Sequence, residues 1–289
     1  MAEAIYYYDT IDVKDSRLNK FRRIIMSGFM LLTAYLLANM LHQLIVGALC
    51  MLLGYDTHIG FHYVTAAPYE YRFWNGSRVL FIYFTPPFIC LGLSYVIQFT
   101  ILQKAETINR LRLFFFWVQM SLINVFLTQL LIIPLGTSPR YATGFYQTFS
   151  IVATWFKIPA GFFIVTTIIA ATLAIVVGYL AAPEIQRYSF SSRLVQTQDG
   201  KNKIAAQVYL LPVLMAVPAI IWFSNTWSFL VHVVLISLFI LPWLGIYIRH
   251  RKDMSIVRCS KADVLNHWPI VEALITIVVW ALAVFFFDR

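Results

Sequence analysis

The sequence predicts an all-α integral membrane protein of about seven transmembrane helices with aromatic-rich extracytoplasmic loops. Three observations carry that prediction. Of the 289 residues, 60% are hydrophobic and 12% charged, where a soluble domain carries about 25% charged residues. The apolar residues fall in runs of about 20, enough to cross a hydrocarbon core at about 1.5 Å rise per residue. The basic residues gather at the ends of those runs, where they act as topology determinants.

Residues 1–23, "MAEAIYYYDTIDVKDSRLNKFRR", read as a polar cytoplasmic N-terminal segment. They lack the short apolar core and small-residue cleavage site of a secretory signal, so the first span is expected to direct its own insertion. Residues 24–289 read as a single polytopic transmembrane domain. The expected spans are 24–54, 79–103, 113–136, 158–182, 207–224, 227–248 and 269–287. The first is long for one crossing and is expected to tilt. Pro86-Pro87 is expected to kink the second; prolines inside spans are tolerated because neighbouring groups satisfy the freed backbone. The fifth span is short, and only Asn225 and Thr226 separate it from the sixth. A re-entrant element there would leave six spans and bring the C-terminus to the side of the N-terminus.

Orientation follows from charge. With the N-terminus in the cytoplasm, 17 of the 22 Lys and Arg fall in cytoplasmic segments and 5 outside, as the positive-inside rule requires. Seven spans then place the C-terminus outside the cytoplasm. Topology accounts for the net charge of +9, and nucleic acid is not an expected partner. Cys50 and Cys90 lie in apolar runs and Cys259 in a loop, with no close pair to suggest a disulfide framework or thiolate site. The lack of such a framework and of a signal peptide fits a bacterial inner membrane.

The loops differ in kind. Residues 55–78 and 137–157 are rich in Tyr, Phe and Trp, which favour the membrane–water boundary. The first is expected to lie against that boundary, partly extended. Residues 184–206 are polar and turn-rich, and read as the most flexible segment. Asn75-Gly76-Ser77 matches the glycosylation acceptor pattern. No internal repeat of the kind many transporters carry is evident.

The polar residues inside the spans are the candidate site. Asn39, His42 and Gln43 share one turn of an otherwise apolar stretch, "LANMLHQLIVGALCMLLG". Gln119, Ser121, Asn124, Thr128 and Gln129 mark the third span, with Asn124 and Thr128 on one face. An uncompensated polar group in hydrocarbon costs several kcal/mol. Asn39, His42, Gln43, Asn124 and Thr128 are therefore expected to turn inward, as interhelical hydrogen bonds or as the wall of a small polar cavity. His58 and His62, in "HIGFH", give a second pattern. On a helix they would share a face and suit zinc; Gly54 and Gly60 argue against a helix. In a strand they would lie about 13 Å apart, too far to share one metal; the third ligand to either arrangement would be Asp56 or Glu70. His232 in the sixth span raises a third possibility, a haem held between it and His42. Glu272, one turn into the last span, is expected near the cytoplasmic headgroups, with a proton-relay role as an alternative.

The order of elements resembles the membrane-embedded site-2-protease metallopeptidases. In that family an apolar helix with His-Glu-x-x-His leads through "LLG" into an extended membrane-surface segment; later helices carry a Gly-Pro pair, then an Asn before a Leu-Pro-rich stretch ending in Asp-Gly. Here "HQLIVGALCMLLGYDTHIGFHYV" is similar to the first, with His42 at the first ligand position. "YFTPPF" (83–88) stands near the place of the Gly-Pro pair, and "LINVFLTQLLIIPLG" (122–136) looks like the third. The resemblance covers about residues 36–145. It implies a zinc bound by two His and one Asp, with a Glu as general base. This chain has Gln43 in place of that Glu, Val46 in place of the second His, and no Asp in "GTSPRYATG". The resemblance therefore implies a degenerate, non-catalytic relative.

The leading expectation is a non-catalytic protein that binds a membrane partner, a peptide or a lipid, as a pseudo-protease or as a subunit of a membrane complex. Its expected partners are membrane lipids and other membrane subunits, with no cofactor. One alternative is a membrane enzyme whose zinc or haem involves His42, with His58, His62 or His232. The other is a transporter of a lipophilic solute.

Overall fold

The computed structural model describes residues 17–60, 64–67, 74–103, 110–136, 148–189, 196–224, 240–252 and 268–287. Helix α1, Arg17–Leu52, starts seven residues before the expected span. It ends in a Schellman motif: Tyr55 N–H donates to Cys50 O (3.1 Å) and Gly54 N–H to Met51 O (2.9 Å). Gly54 sits at φ +80°, which an L side chain rarely adopts. The chain then turns into an antiparallel hairpin, β1 (Asp56–Ile59) with β2 (Val64–Ala67), pairing Asp56 with Ala67 and Ile59 with Val64. The hairpin lies back along α1. A Cβ at Gly47 would come within 2.6 Å of Ile59 Cγ1, so any larger residue would displace the Ile59 side chain.

Helix α2 spans Gly76–Leu102. Asn75, from the possible glycosylation triplet, caps it by accepting the Arg78 N–H at 2.9 Å. At this end Trp74 stacks between Tyr55 (4.6 Å) and Tyr83 (5.9 Å), and Arg78 Nη1 donates to the Tyr55 hydroxyl (3.2 Å). These rings join the end of α1 to the start of α2. Near the expected kink the helix forms a π-helical turn, Leu80–Phe84, directly before Thr85-Pro86-Pro87. Proline lacks an N–H and its ring crowds the carbonyl four residues back; a widened turn makes room for both.

Helix α3 is Arg110–Gly136, α4 is Thr148–Trp155 and α5 is Ala160–Arg187. Helix α6 comprises Gln198–Ala205, a π-helical turn Ala206–Leu210, and Leu211–Ser224. Helix α7 is Leu241–Lys252 and α8 is Ile270–Phe287. Two expectations are corrected. The fourth span does not stop at Ala182 but continues through Pro183 to Arg187. The polar stretch 184–206 is not a flexible loop where it is described: Gln198–Ala205 is helical, capped by Thr197 accepting the Gly200 N–H (3.1 Å), with Lys201 buried. The expected sixth span lies largely outside the described residues, apart from α7.

Helices α1, α2, α3, α5 and α6 are long and apolar enough to cross a membrane, which fits an all-α membrane protein. Side-chain distribution agrees. Ile164, Ile168 and Leu180 on α5, and Val271, Leu274 and Val278 on α8, are exposed, whereas Ser27, Thr33, His42, Asn124, Thr166 and Thr276 are buried.

Helix α1 is the hub, packing on α2, α3, α6, α8 and the hairpin. Proline again creates the key contact. Pro212 cannot donate to the Val208 carbonyl. Ser27 Oγ of α1 donates to it instead (2.7 Å) and accepts the Trp117 Nε1–H of α3 (2.9 Å). Trp117 also stacks on Tyr209 of α6. Three helices are joined by one proline-freed carbonyl.

Helices α5 and α7 cross at two glycines. A Cβ at Gly178 would fall on the Pro242 carbonyl, and one at Gly245 on the Ile175 carbonyl. Between lipid-embedded helices, such backbone contact replaces the hydrophobic drive that water would supply. Gly178→Leu is expected to lower stability by about 3 kcal/mol or more, since the overpacking is against backbone. Gly92→Leu, where a Cβ meets nothing within 4 Å, is expected to stay within about 0.5 kcal/mol. Unfolding of both variants in detergent checks the contrast.

Candidate functional site

His42, Gln43, Asn124 and Thr128 are buried, and Asn39 is half-buried. They lie on α1 and α3, which pack together. His42 Nε2, Ser121 Oγ and Thr128 Oγ1 have no hydrogen-bond partner among the described residues. The greasy turn of α1 thus keeps its imidazole by turning it into the protein.

Of the histidine pattern, only His58 lies among the described residues. Ile59 faces α1, so strand alternation turns His58 to the opposite side, with Asp56; both are exposed. His62, Glu70 and His232 lie outside the described residues. Among the described residues, no three His, Cys, Asp or Glu side chains gather where they could hold a metal.

A groove of about 490 Å³ lies elsewhere, and none of the five expected residues lines it. Helices α2 and α5 each pack on α3. Between them α3 forms a floor of Phe116, Gln119, Met120, Ile123, Phe126 and Leu127. Leu91, Tyr95 and Phe99 form one wall; Leu173, Val176 and Leu180 form the other. Tyr95, Phe99, Val176 and Leu180 are exposed, so the groove opens sideways from the bundle. From Leu91 to Gln103 it runs about 18 Å by helix rise, close to half of a hydrocarbon core about 30 Å thick.

The groove is polar at one end. Arg112 is almost fully buried at the start of α3, where Nε and Nη2 donate to the two oxygens of Glu184 at 2.5 and 2.8 Å. Nη2 also donates to the Leu102 carbonyl at the end of α2. Arg187, one turn on from Glu184, approaches the same carboxylate at 3.3 Å and is about one-third exposed. The Tyr188 hydroxyl donates to Glu184 at 3.3 Å. Burial first, then the Glu184 charge, hold that phenol well above its ordinary value and keep it a donor. Glu184 and Arg187 line the groove. Deeper in, Gln119 Nε2 donates to Gln98 Oε1 at 2.8 Å. That pair satisfies one donor and one acceptor, and both residues border the groove.

The neighbouring ion pair ties down α8. Arg110 Nη1 donates to Glu272 Oε1 at 3.0 Å, while Thr33 and Thr276 hydroxyls meet at 2.8 Å. Glu272 is thus bonded to a basic residue at the start of α3.

No protein-family model, curated protein or solved structure matches this chain. The site must be interpreted from its own chemistry.

Sequence reasoning singled out Gln119 but missed Gln98, Glu184 and the second role of Arg112 and Arg187. A signal was present: an acid one residue past an apolar run needs a cation, and Gln98 is an amide within the second span.

Removing one partner of a buried ion pair costs about 3–5 kcal/mol, because the other charge is left uncompensated. Arg112→Met is expected to fall in that range, and Arg112→Met with Glu184→Leu to recover most of the loss. Unfolding of the single and double variants in detergent tests the coupling.

Proposed function

We propose that this chain is a non-catalytic membrane protein that binds an amphiphilic lipid in the groove between α2 and α5. The observation that carries the reading is the groove's form: apolar toward Leu91, open sideways, and polar from the Gln98–Gln119 pair to Glu184 and Arg187. Its volume is typical of small-molecule sites, which span about 300–1,000 Å³. An acyl chain would lie on Met120, Ile123 and Val176, and its polar portion would reach Gln98, Gln119 and Arg187.

Val176→Trp narrows the groove from an exposed wall position. It is expected to reduce co-purifying lipid at least several-fold, read by native mass spectrometry of the detergent-solubilised protein. Ile164→Trp, exposed on α5 and not part of the lining, is expected to leave the bound lipid unchanged. Equal lipid retention in both variants would overturn the reading.

The proposed topology is seven spans with the N-terminus in the cytoplasm and the C-terminus outside, in a bacterial inner membrane. Positive-inside asymmetry supports it, and the polar end of the groove then faces the cytoplasmic leaflet. Single-cysteine variants, with the native cysteines replaced, test this orientation. Lys203→Cys is expected to react with an impermeant maleimide only after permeabilisation, and Arg78→Cys to react without it.

The hairpin favours a second reading, distant kinship with the site-2-protease-like metallopeptidases. It follows "LLG" directly and lies against the helix that carries His42. Gln43 and Val46 make such a relative non-catalytic, so this reading is compatible with lipid binding.

A further inference from the structure

We propose that the groove selects phospholipids whose headgroup carries a net negative charge, and that Arg187 is the specificity-determining residue. The proposal rests on the lipid-binding reading above and adds the headgroup class. Charge complementarity carries it. At the polar end two guanidiniums face one carboxylate. Arg112 is buried and occupies both Glu184 oxygens, so its charge is matched and screened from an incoming group. Arg187 is held less closely, at 3.3 Å, is more exposed and lines the groove. Among the described residues, one positive charge in this cluster is therefore in excess, at the point where a headgroup would sit.

The pinned geometry adds to the selection. Glu184 and Arg187 are i and i+3 on the last turn of α5, so the carboxylate limits how far the guanidinium swings. Five N–H donors in a rigid fork leave enough for phosphate oxygens after one is shared with Glu184. The Gln98–Gln119 pair lies about 10 Å deeper, seven residues along α3 from Arg112. There its remaining carboxamide donors can meet the ester carbonyls of a glycerolipid.

The test uses the full-length protein in detergent, titrated with phosphatidylglycerol or phosphatidylcholine of identical acyl chains, with binding read by native mass spectrometry. Wild type is expected to prefer phosphatidylglycerol about fivefold, the scale of one basic residue acting on an anionic lipid. Arg187→Gln is expected to abolish that preference by weakening phosphatidylglycerol about fivefold more than phosphatidylcholine, and Arg187→Lys to retain most of it. A preference that survives in Arg187→Gln, or no preference in wild type, overturns the headgroup assignment alone. Val176→Trp separates the two levels. If it leaves binding of both lipids intact, the groove reading fails as well; if it weakens both equally while Arg187→Gln removes the preference, both stand.

Discussion

The bidentate bond between Arg112 and Glu184 is the constraint on which the site depends. It fixes the start of α3 to the end of α5, and through the Leu102 carbonyl it also holds the end of α2. Those are the floor and both walls of the groove. A charge buried at this depth cannot be left unmatched, so the sequence must keep both partners or neither. Arg187 and the Tyr188 hydroxyl complete the shell around the carboxylate. The groove is therefore most firmly built at its polar end.

The rest of the bundle solves a related problem with neutral groups. Proline removes a backbone donor, and in lipid the orphaned carbonyl has no water to turn to. At Pro212 the answer comes from another helix, where Ser27 supplies the donor and recruits Trp117. At Pro86-Pro87 the helix widens into a π turn. Glycines serve the opposite need. Gly178 and Gly245 bring two backbones together, and Gly47 admits Ile59. Polar contacts and close packing carry the cohesion that the hydrophobic effect cannot supply between helices already in an apolar solvent.

Much of the fold was legible in the sequence, because membrane spans are written in length and hydropathy. Five of the expected spans correspond to helices long and apolar enough to cross. The inward turn of His42, Gln43, Asn124 and Thr128 followed from the cost of leaving them in lipid. What was not legible depended on tertiary partners. The fourth span was expected to end at Ala182, which put Glu184 in a supposed loop; the helix continues through Pro183 and presents the acid to Arg112. Lys201 looked like part of a solvated linker, yet it is buried in α6. Arg112 and Arg187 were counted as topology charges, since charge asymmetry does not reveal which cation meets an acid. The groove itself has no linear signature. It arises because α2 and α5 flank α3, a relation between segments far apart in the chain.

The sideways opening of the groove has a consequence for traffic. On the lipid-binding proposal, a ligand entering past Tyr95 and Leu180 would never need to dissolve in water; it would arrive by diffusing within its own monolayer. Its supply would then be a mole fraction of surrounding molecules rather than an aqueous concentration, and competition among neighbours would decide what fills the groove.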